Sequence, residues 1–288
     1  MSDFSTTRVP VLSVRDLTIS FPSRCGSDRV RVVRNVSFEL TERSILSIVG
    51  ESGSGKSLTA LSLTGLLPVG AKIEEGRAEF QTKEKNSIDL FGLSESSRRR
   101  IRGRELAMIF QEPMSSLNPV LTIGEQITEA VRLHTSVSPR EARDRAADAL
   151  QSVGITDPVS RLRQYPHEFS GGMRQRAMIA MALSCTPRIL IADEPTTALD
   201  VTVQAQVLDL LCRLRDERGL SIILITHDLR LVARRADAVC VMQRGEIVEH
   251  GSRAQVLESP THQYTRSLLA CVPRIGERRP RLATIAEA

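Results

Sequence analysis

Residues 50–57 read GESGSGKS, Gly50 to Ser57, between the apolar run SILSIVG (Ser44–Gly50) and LTALSLTGLL (Leu58–Leu67). The stretch satisfies G-x-x-x-x-G-K-[ST] with no mismatch. It also stands where that pattern has a mechanism, after a strand and before a helix. ILSIVG (Ile45–Gly50) is short and apolar, as a strand covered on both faces is. Ser57–Leu67 reads as a helix. Glycines at such a turn let backbone N–H groups curl round phosphate oxygens. The helix start adds the positive end of a dipole. Lys56 is placed to reach β- and γ-phosphates, and Ser57 to ligand Mg²⁺.

A phosphate loop alone leaves kinases, GTPases and motors open, so a second feature has to choose. ILIADEP (Ile189–Pro195) is an apolar strand ending in two acids. Asp193 at its end can meet a Mg²⁺ shell. Glu194, the next residue, can accept a proton from an attacking water. EFSGGMRQRAMIAMAL (Glu168–Leu183) puts Ser170, Gly171 and Gly172 before a helix. Alone, that is an ordinary N-cap; in a chain that already holds one anion site it suggests a second.

The rest of the chain alternates. VLSVRDLTISF (Val11–Phe21) and VVRNVSFEL (Val32–Leu40) have the period of half-buried strands. IGEQITEAVRLH and SPREARDRAADALQSVGI have helical spacing, with Ser138 as N-cap, Pro139 at the first helical position and Glu141 three residues after the cap. Residues from about 112 to 168 therefore read as a small helical insertion. Beyond it come a buried strand at Arg188–Pro195, a helix closed by Gly219, a buried strand SIILITHD and a helical LRLVARRAD. Two short strands follow around Arg244-Gly245. Such alternation predicts an α/β fold, a mainly parallel sheet with helices on its faces. From about Ser252 the chain reads as a helix-and-loop extension with a polar tail.

Composition bounds the partners. Of 288 residues, 41% are hydrophobic and 25% charged, ordinary for a soluble globular chain. No apolar run is long enough to span a bilayer, and the start MSDFSTTRVP lacks a signal-peptide core. A cytoplasmic chain without its own membrane anchor is expected. The five cysteines, Cys25, Cys185, Cys212, Cys240 and Cys271, are scattered and read as buried free thiols. A net charge of +5 permits nucleic acid or lipid partners without requiring either, and 3% aromatics with no Trp gives no base-stacking platform. The run RRRIRGR (Arg98–Arg104) reads as a solvated surface, with contact to lipid headgroups as the alternative.

Taken together, the motifs resemble those of the ATP-binding subunit of an ABC transporter, over residues 10 to 275. GESGSGKS resembles the family's Walker A, ILIADE its Walker B and FSGGM its signature. Gln111 in IFQEP resembles the Q-loop glutamine, ALD (Ala198–Asp200) the D-loop, His227 in LITHD the switch histidine and Phe21 in TISFPS the adenine-stacking aromatic. AMIFQEPMSSLNPVLTIGEQI, QYPHEFSGGMRQRAMIAMAL, EPTTALDVTVQAQVLDLL and SPTHQYTRSLLACVP are close to the oligopeptide/dipeptide/nickel importer branch. Phe169 and Met173 replace the general family's Leu and Gln, as is usual in that branch. The extension stops soon after Cys271 and lacks the further cysteines that could hold an iron–sulfur cluster, so none is expected.

The resemblance implies a P-loop ABC ATPase domain over residues 8–251. It would carry an N-terminal antiparallel β subdomain, with a peptide-importer-type extension over 252–288. It implies ATP and Mg²⁺ as cofactors. Gly50, Glu51, Ser52, Gly53, Ser54, Gly55, Lys56 and Ser57 would bind nucleotide, and Ser57, Gln111 and Asp193 would serve the metal. Glu194 would polarise water, with His227 on the γ-phosphate and Gln111 completing the catalytic set. Ser170, Gly171, Gly172 and Asp200 would serve the ATP of a second ATPase subunit, identical or not, in a head-to-tail pair. Two integral-membrane permeases and a solute-binding protein acting through them complete the implied machine, on the cytoplasmic face of the inner membrane. The segment from Gln111 to Ile127 would form a groove for a permease helix. Nucleic acid is not an expected partner. The alternatives are a soluble ABC ATPase of DNA repair or translation, and a regulatory subunit that does not hydrolyse. The stretch from Ser57 to Ser170 is too short for a repair-type coiled coil, there is one cassette rather than two, and Glu194 and His227 are intact.

Overall fold

The computed structural model describes residues 10–23, 28–111, 116–197, 199–232 and 235–270. Cys25, Cys271, Ala198 of the D-loop and the tail after 270 lie outside the described residues. The chain divides into two compact units, Met1–Gly92 with Ser221–Ala288, and Leu93–Leu220.

In the first unit, β1 (Pro10–Pro22) pairs antiparallel with β2 (Arg29–Thr41). The apolar alternation read from the sequence buries Val11, Leu12, Val14, Leu17 and Ile19 of β1 against Val33, Val36, Phe38 and Leu40 of β2. On its other edge β1 pairs with β4 (Lys72–Gln81), which pairs in turn with β5 (Ser87–Asp89). These two strands have no apolar signature. Half of β4 is charged, and only Ala78 and Phe80 are buried, so its strand state comes from the register with β1.

The same unit holds parallel pairing. β3 (Ile45–Val49) lies between β8 (Ser221–Thr226) and β9 (Ala238–Gln243), parallel to both. Every residue of β3 and β8 is buried, as continuous apolar runs require. Each fully buried Ile or Leu there contributes roughly 1.5–3 kcal/mol. β10 (Glu246–Ser252) turns back antiparallel through Arg244 and Gly245, with φ of 48° and 89°, the two left-handed residues of a tight hairpin. Helix α1 (Lys56–Thr64) stops earlier than the expected Leu67. Gly65 caps it in the left-handed conformation and its N–H returns to the Leu61 and Ser62 carbonyls, so Leu66 and Leu67 continue the apolar run but not the helix.

In the second unit, β6 (Leu106–Ile109) pairs parallel with β7 (Ile189–Asp193). Helix α2 (Glu95–Ile101) carries much of the arginine run, where Arg99 and Arg102 both pair with Glu95. Helices α3 (Ile123–His134), α4 (Pro139–Ser152) and α5 (Pro158–Arg161) occupy the region read as a helical insertion. Thr122 and Glu125 form a capping box on α3, and Ser138 Oγ accepts the Glu141 N–H to open α4. Their apolar faces bury Ile123, Ile127, Val131, Ala142, Ala146 and Leu150 beside helix α6 (Gly171–Leu183). Helix α7 (Val201–Arg218) ends, as its sequence predicts, at Gly219 with φ 66°.

The described cysteines are half-buried Cys185 and Cys212 and buried Cys240, whose thiol burial pushes up to about 12.

Candidate functional site

The first unit carries the phosphate loop, between β3 and α1. Lys56 is 4% exposed despite its charge. Its ammonium donates to the Gly50 carbonyl at 2.7 Å, the Glu51 carbonyl at 2.6 Å and Ser54 Oγ at 3.4 Å. A buried cation needs acceptors for its N–H groups, and the loop supplies them from two backbone carbonyls and one hydroxyl. The loop thus closes into a ring around the lysine nitrogen. Gly55 is the N-cap of helix α1, which has no side-chain cap and no acid in its first turn. A bound anion is the natural partner for such a helix start.

The loop's shape is set by distant segments of the same unit. Gly50 has φ 154°, and a Cβ on it would sit 2.2 Å from the Met242 carbonyl oxygen of β9. Only glycine lets strand and loop approach that closely. From the same β9–β10 hairpin the Gly245 N–H donates to the Ser54 carbonyl at 3.0 Å, a second tie to the loop. The Glu51 N–H donates to Tyr264 Oη at 3.2 Å. Phe21, half-buried, is the penultimate residue of β1 and pairs with Val30. His227 is exposed, directly after β8, where the Asp228 N–H bonds Thr226 Oγ1 at 3.0 Å.

The second unit gathers the other predicted residues into two clusters. In one, Asp193 ends β7 and is 5% exposed. Glu194 follows with φ 46°, a left-handed conformation that non-glycine residues adopt at a cost of order 1–2 kcal/mol. Its Oε2 accepts Gln111 Nε2 at 3.0 Å and Thr197 Oγ1 at 2.9 Å. Two donors on one oxygen fix the carboxylate's orientation. In the other cluster, Ser170 caps α6, its Oγ accepting the Met173 N–H at 3.3 Å. Asp200 caps α7, its Oδ1 accepting the Val203 N–H at 2.9 Å. Gly171 and Gly172 lie in the same open cleft as Ser170 and Asp200, with Arg176 on its wall. A Cβ on Gly172 would come 3.0 Å from Val203.

Four contributors went unread in the sequence. Thr197 sits beside Glu194 and was hidden in a run of turn residues. Met242, Gly245 and Tyr264 act on the loop from about two hundred residues away, and no local spacing signals that.

The described residues contain no helix long and apolar enough to cross a membrane. The family model described as "ABC transporter" matches residues 33–197, and that of the "Oligopeptide/dipeptide transporter, C-terminal region" matches 248–288. The dipeptide transport ATP-binding protein DppD of Bacillus subtilis is 52% identical over 266 residues, 92% of this chain and 77% of that protein. The glutathione import ATP-binding protein GsiA of Salmonella typhimurium is 52% identical over 270 residues, 93% of this chain but only 43% of GsiA. Among solved structures, the dimeric bacterial ABC transporter cassette MJ0796 superposes with a TM-score of 0.72 at 27% identity, covering 84% of this chain and 98% of that one. The same cassette has been solved with ADP and phosphate. CbiO1 of Clostridium perfringens, part of the cbiONQ transporter complex, gives 0.71 at 25% identity over 87% of this chain and 91% of that one.

Proposed function

The chain belongs to the ABC transporter family, and on that footing we propose that it binds and hydrolyses ATP to power import of peptides or a related small solute. One observation carries the importer reading. The same chain pairs an ABC transporter match over 33–197 with an oligopeptide/dipeptide transporter match over 248–288. The curated relatives bear transport names, and the repair or translation alternative is not favoured.

In this reading residues 8–251 form the ATPase domain, with the helical insertion at about 112–168, and residues 252–288 form the extension. Gly50 to Gly55 would wrap the phosphates with backbone N–H groups, and Lys56 would turn its ammonium from loop carbonyls to phosphate oxygens. Phe21 would stack on adenine. The donor chemistry suits Mg²⁺: Ser57 and buried Asp193 would each offer it a hard oxygen, and Gln111 would serve it as well. Mg²⁺ would neutralise charge on the phosphate oxygens. Glu194, oriented by Gln111 and Thr197, would take the proton of the attacking water, and His227 would bond the γ-phosphate. The cleft of Ser170, Gly171, Gly172 and Asp200 would cover the nucleotide of a second ATPase subunit. That accounts for two anion sites in one chain.

The chain would lie against the cytoplasmic face of the membrane, bound to two permeases that a separate solute-binding protein supplies. An open cleft bounded by Thr122, Glu125, Thr128, Arg132 and Arg143 supports docking of a permease segment on the helical insertion. Cargo choice among dipeptide, oligopeptide, opine, glutathione and nickel would rest with those partners. Affinity purification of this chain from detergent-solubilised membranes, with partners identified by mass spectrometry, tests the reading. Two multi-span permeases are expected, with or without a second ATPase. Recovery only with ribosomes or nucleic acid would overturn it.

A further inference from the structure

The C-terminal extension lies outside every motif that the ATPase reading uses, yet its last described helix reaches the phosphate loop. Helix α9 (Gln263–Ala270) follows α8 (Arg253–Glu258). Its start is pinned by Glu249 of β10, whose carboxylate accepts the Thr261 N–H at 2.7 Å, the Thr261 hydroxyl at 3.0 Å and the His262 N–H at 3.2 Å. His262 Nδ1 then accepts the Tyr264 N–H at 3.1 Å. These bonds aim one side chain. Tyr264 is 5% exposed, its ring packed among Val49, Leu229, Val239, Val241 and Val256. Val49, a member of the same buried cluster, is the last residue of β3, immediately before the loop. Beyond the ring, Oη accepts the Glu51 N–H at 3.2 Å, and the Glu51 carbonyl accepts the Lys56 ammonium at 2.6 Å.

We propose that Tyr264 is a positioning residue for nucleotide binding: its hydroxyl holds the Glu51 peptide, and through it the phosphate loop and Lys56, in the shape that receives phosphates. The hydroxyl would act by preorganisation. The loop contains three glycines and would otherwise sample other shapes, and each nucleotide would then have to order it. A buried phenol is a stiff strut, with two side-chain torsions and no ordering left to do at binding. Burial raises its pKa, the Glu51 amide opposes that, and the Glu51 carboxylate adds to it; the net rise keeps the hydroxyl neutral. The extension thereby acts on the ATP site without touching nucleotide. The inference rests on the ATP-binding reading above.

The test is Tyr264→Phe in the full-length chain, which removes one oxygen and keeps the ring. Titration calorimetry with MgADP, which binds without turnover, is expected to show affinity lowered about three- to tenfold, with full stoichiometry and a melting temperature close to wild type. In steady state the same variant should raise KM for ATP while leaving kcat nearly unchanged. Unchanged MgADP affinity in the variant, beside a wild type that binds, would overturn this inference alone. So would a loss confined to stoichiometry or kcat at constant Kd and KM, because that marks a partly unfolded population. A wild-type chain that does not bind MgADP would overturn the ATP-binding reading and this inference with it. Amide exchange on the wild type adds an arm that needs no variant. The Glu51 N–H should be protected, and exchange at the rate of an open loop would refute the bond.

Discussion

Gly50→Ala is the most demanding perturbation of the phosphate loop that leaves its chemistry nominally intact. The added Cβ would lie 2.2 Å from the Met242 carbonyl oxygen and 2.9 Å from Ser54 Oγ. Ordinary contact between such atoms needs more than an ångström of extra separation from the carbonyl. Neither neighbour gives way cheaply. Met242 is wholly buried in β9, which pairs with β3, and Ser54 is tied through its carbonyl to the Gly245 N–H. Relief therefore displaces the loop or parts the strands. The first costs nucleotide affinity and the second costs core packing. Overpacking of this kind costs about 3 kcal/mol, to which the unfavourable φ of 154° adds. Gly53→Ala is the control. Gly53 also has positive φ, 79°, but a Cβ there meets nothing within 4 Å. Its cost is the left-handed strain alone, about 1 kcal/mol. For a chain of this size the two figures correspond to melting temperatures lowered by about 6–12 °C and about 2–4 °C. Differential scanning fluorimetry of the three proteins, without nucleotide, reads the difference. Equal and small shifts for the two variants would refute the argument that the approach of β9, rather than backbone freedom, demands glycine at position 50.

Two further substitutions separate binding from chemistry. Glu194→Gln keeps the shape of the side chain, and its amide oxygen can still accept from Gln111 and Thr197, so the fold and ATP affinity should hold while hydrolysis drops at least about a hundredfold; radiolabelled phosphate release within a few-fold of wild type would sink the general-base role. Lys56→Ala removes the only side-chain cation of the loop and leaves the Gly50 and Glu51 carbonyls without their ammonium donor, so ATP affinity should fall about ten- to a hundredfold by calorimetry, and equal affinity would contradict its placement.

The legible parts of this protein are those whose physics is local. GESGSGKS declares itself because glycines, lysine and serine must stand at fixed offsets around a phosphate, whatever surrounds them. β3, β7 and β8 are read easily because burial on both faces leaves no room for polar alternation. The caps at Ser138 and Gly219 are likewise properties of a few adjacent residues. What escapes reading is imposed from elsewhere. β4 is a strand because β1 offers it an edge, and KIEEGRAEFQ has too few apolar residues to say so itself. The end of α1 is masked in the sequence because Leu66 and Leu67 prolong the apolar pattern past a glycine cap. Glu194 stands out in the sequence through its neighbour Asp193, but its left-handed backbone and the hydroxyl of Thr197 that helps to hold it leave no mark on spacing.

The same division runs through the candidate site. The atoms that would meet phosphate lie within eight consecutive residues, whereas the atoms that hold those residues in place come from Met242, Gly245 and Tyr264. A loop of this composition has little rigidity of its own, because each glycine adds conformations that must be given up on binding. Rigidity has to be supplied by contacts of large sequence separation, and here one of them spans 213 residues. Sequence changes in the β9–β10 hairpin or in the extension therefore act on nucleotide affinity by altering how much ordering the nucleotide itself must accomplish. The chemistry of the loop would be untouched, and the effect would appear in Kd and KM before it appeared in kcat.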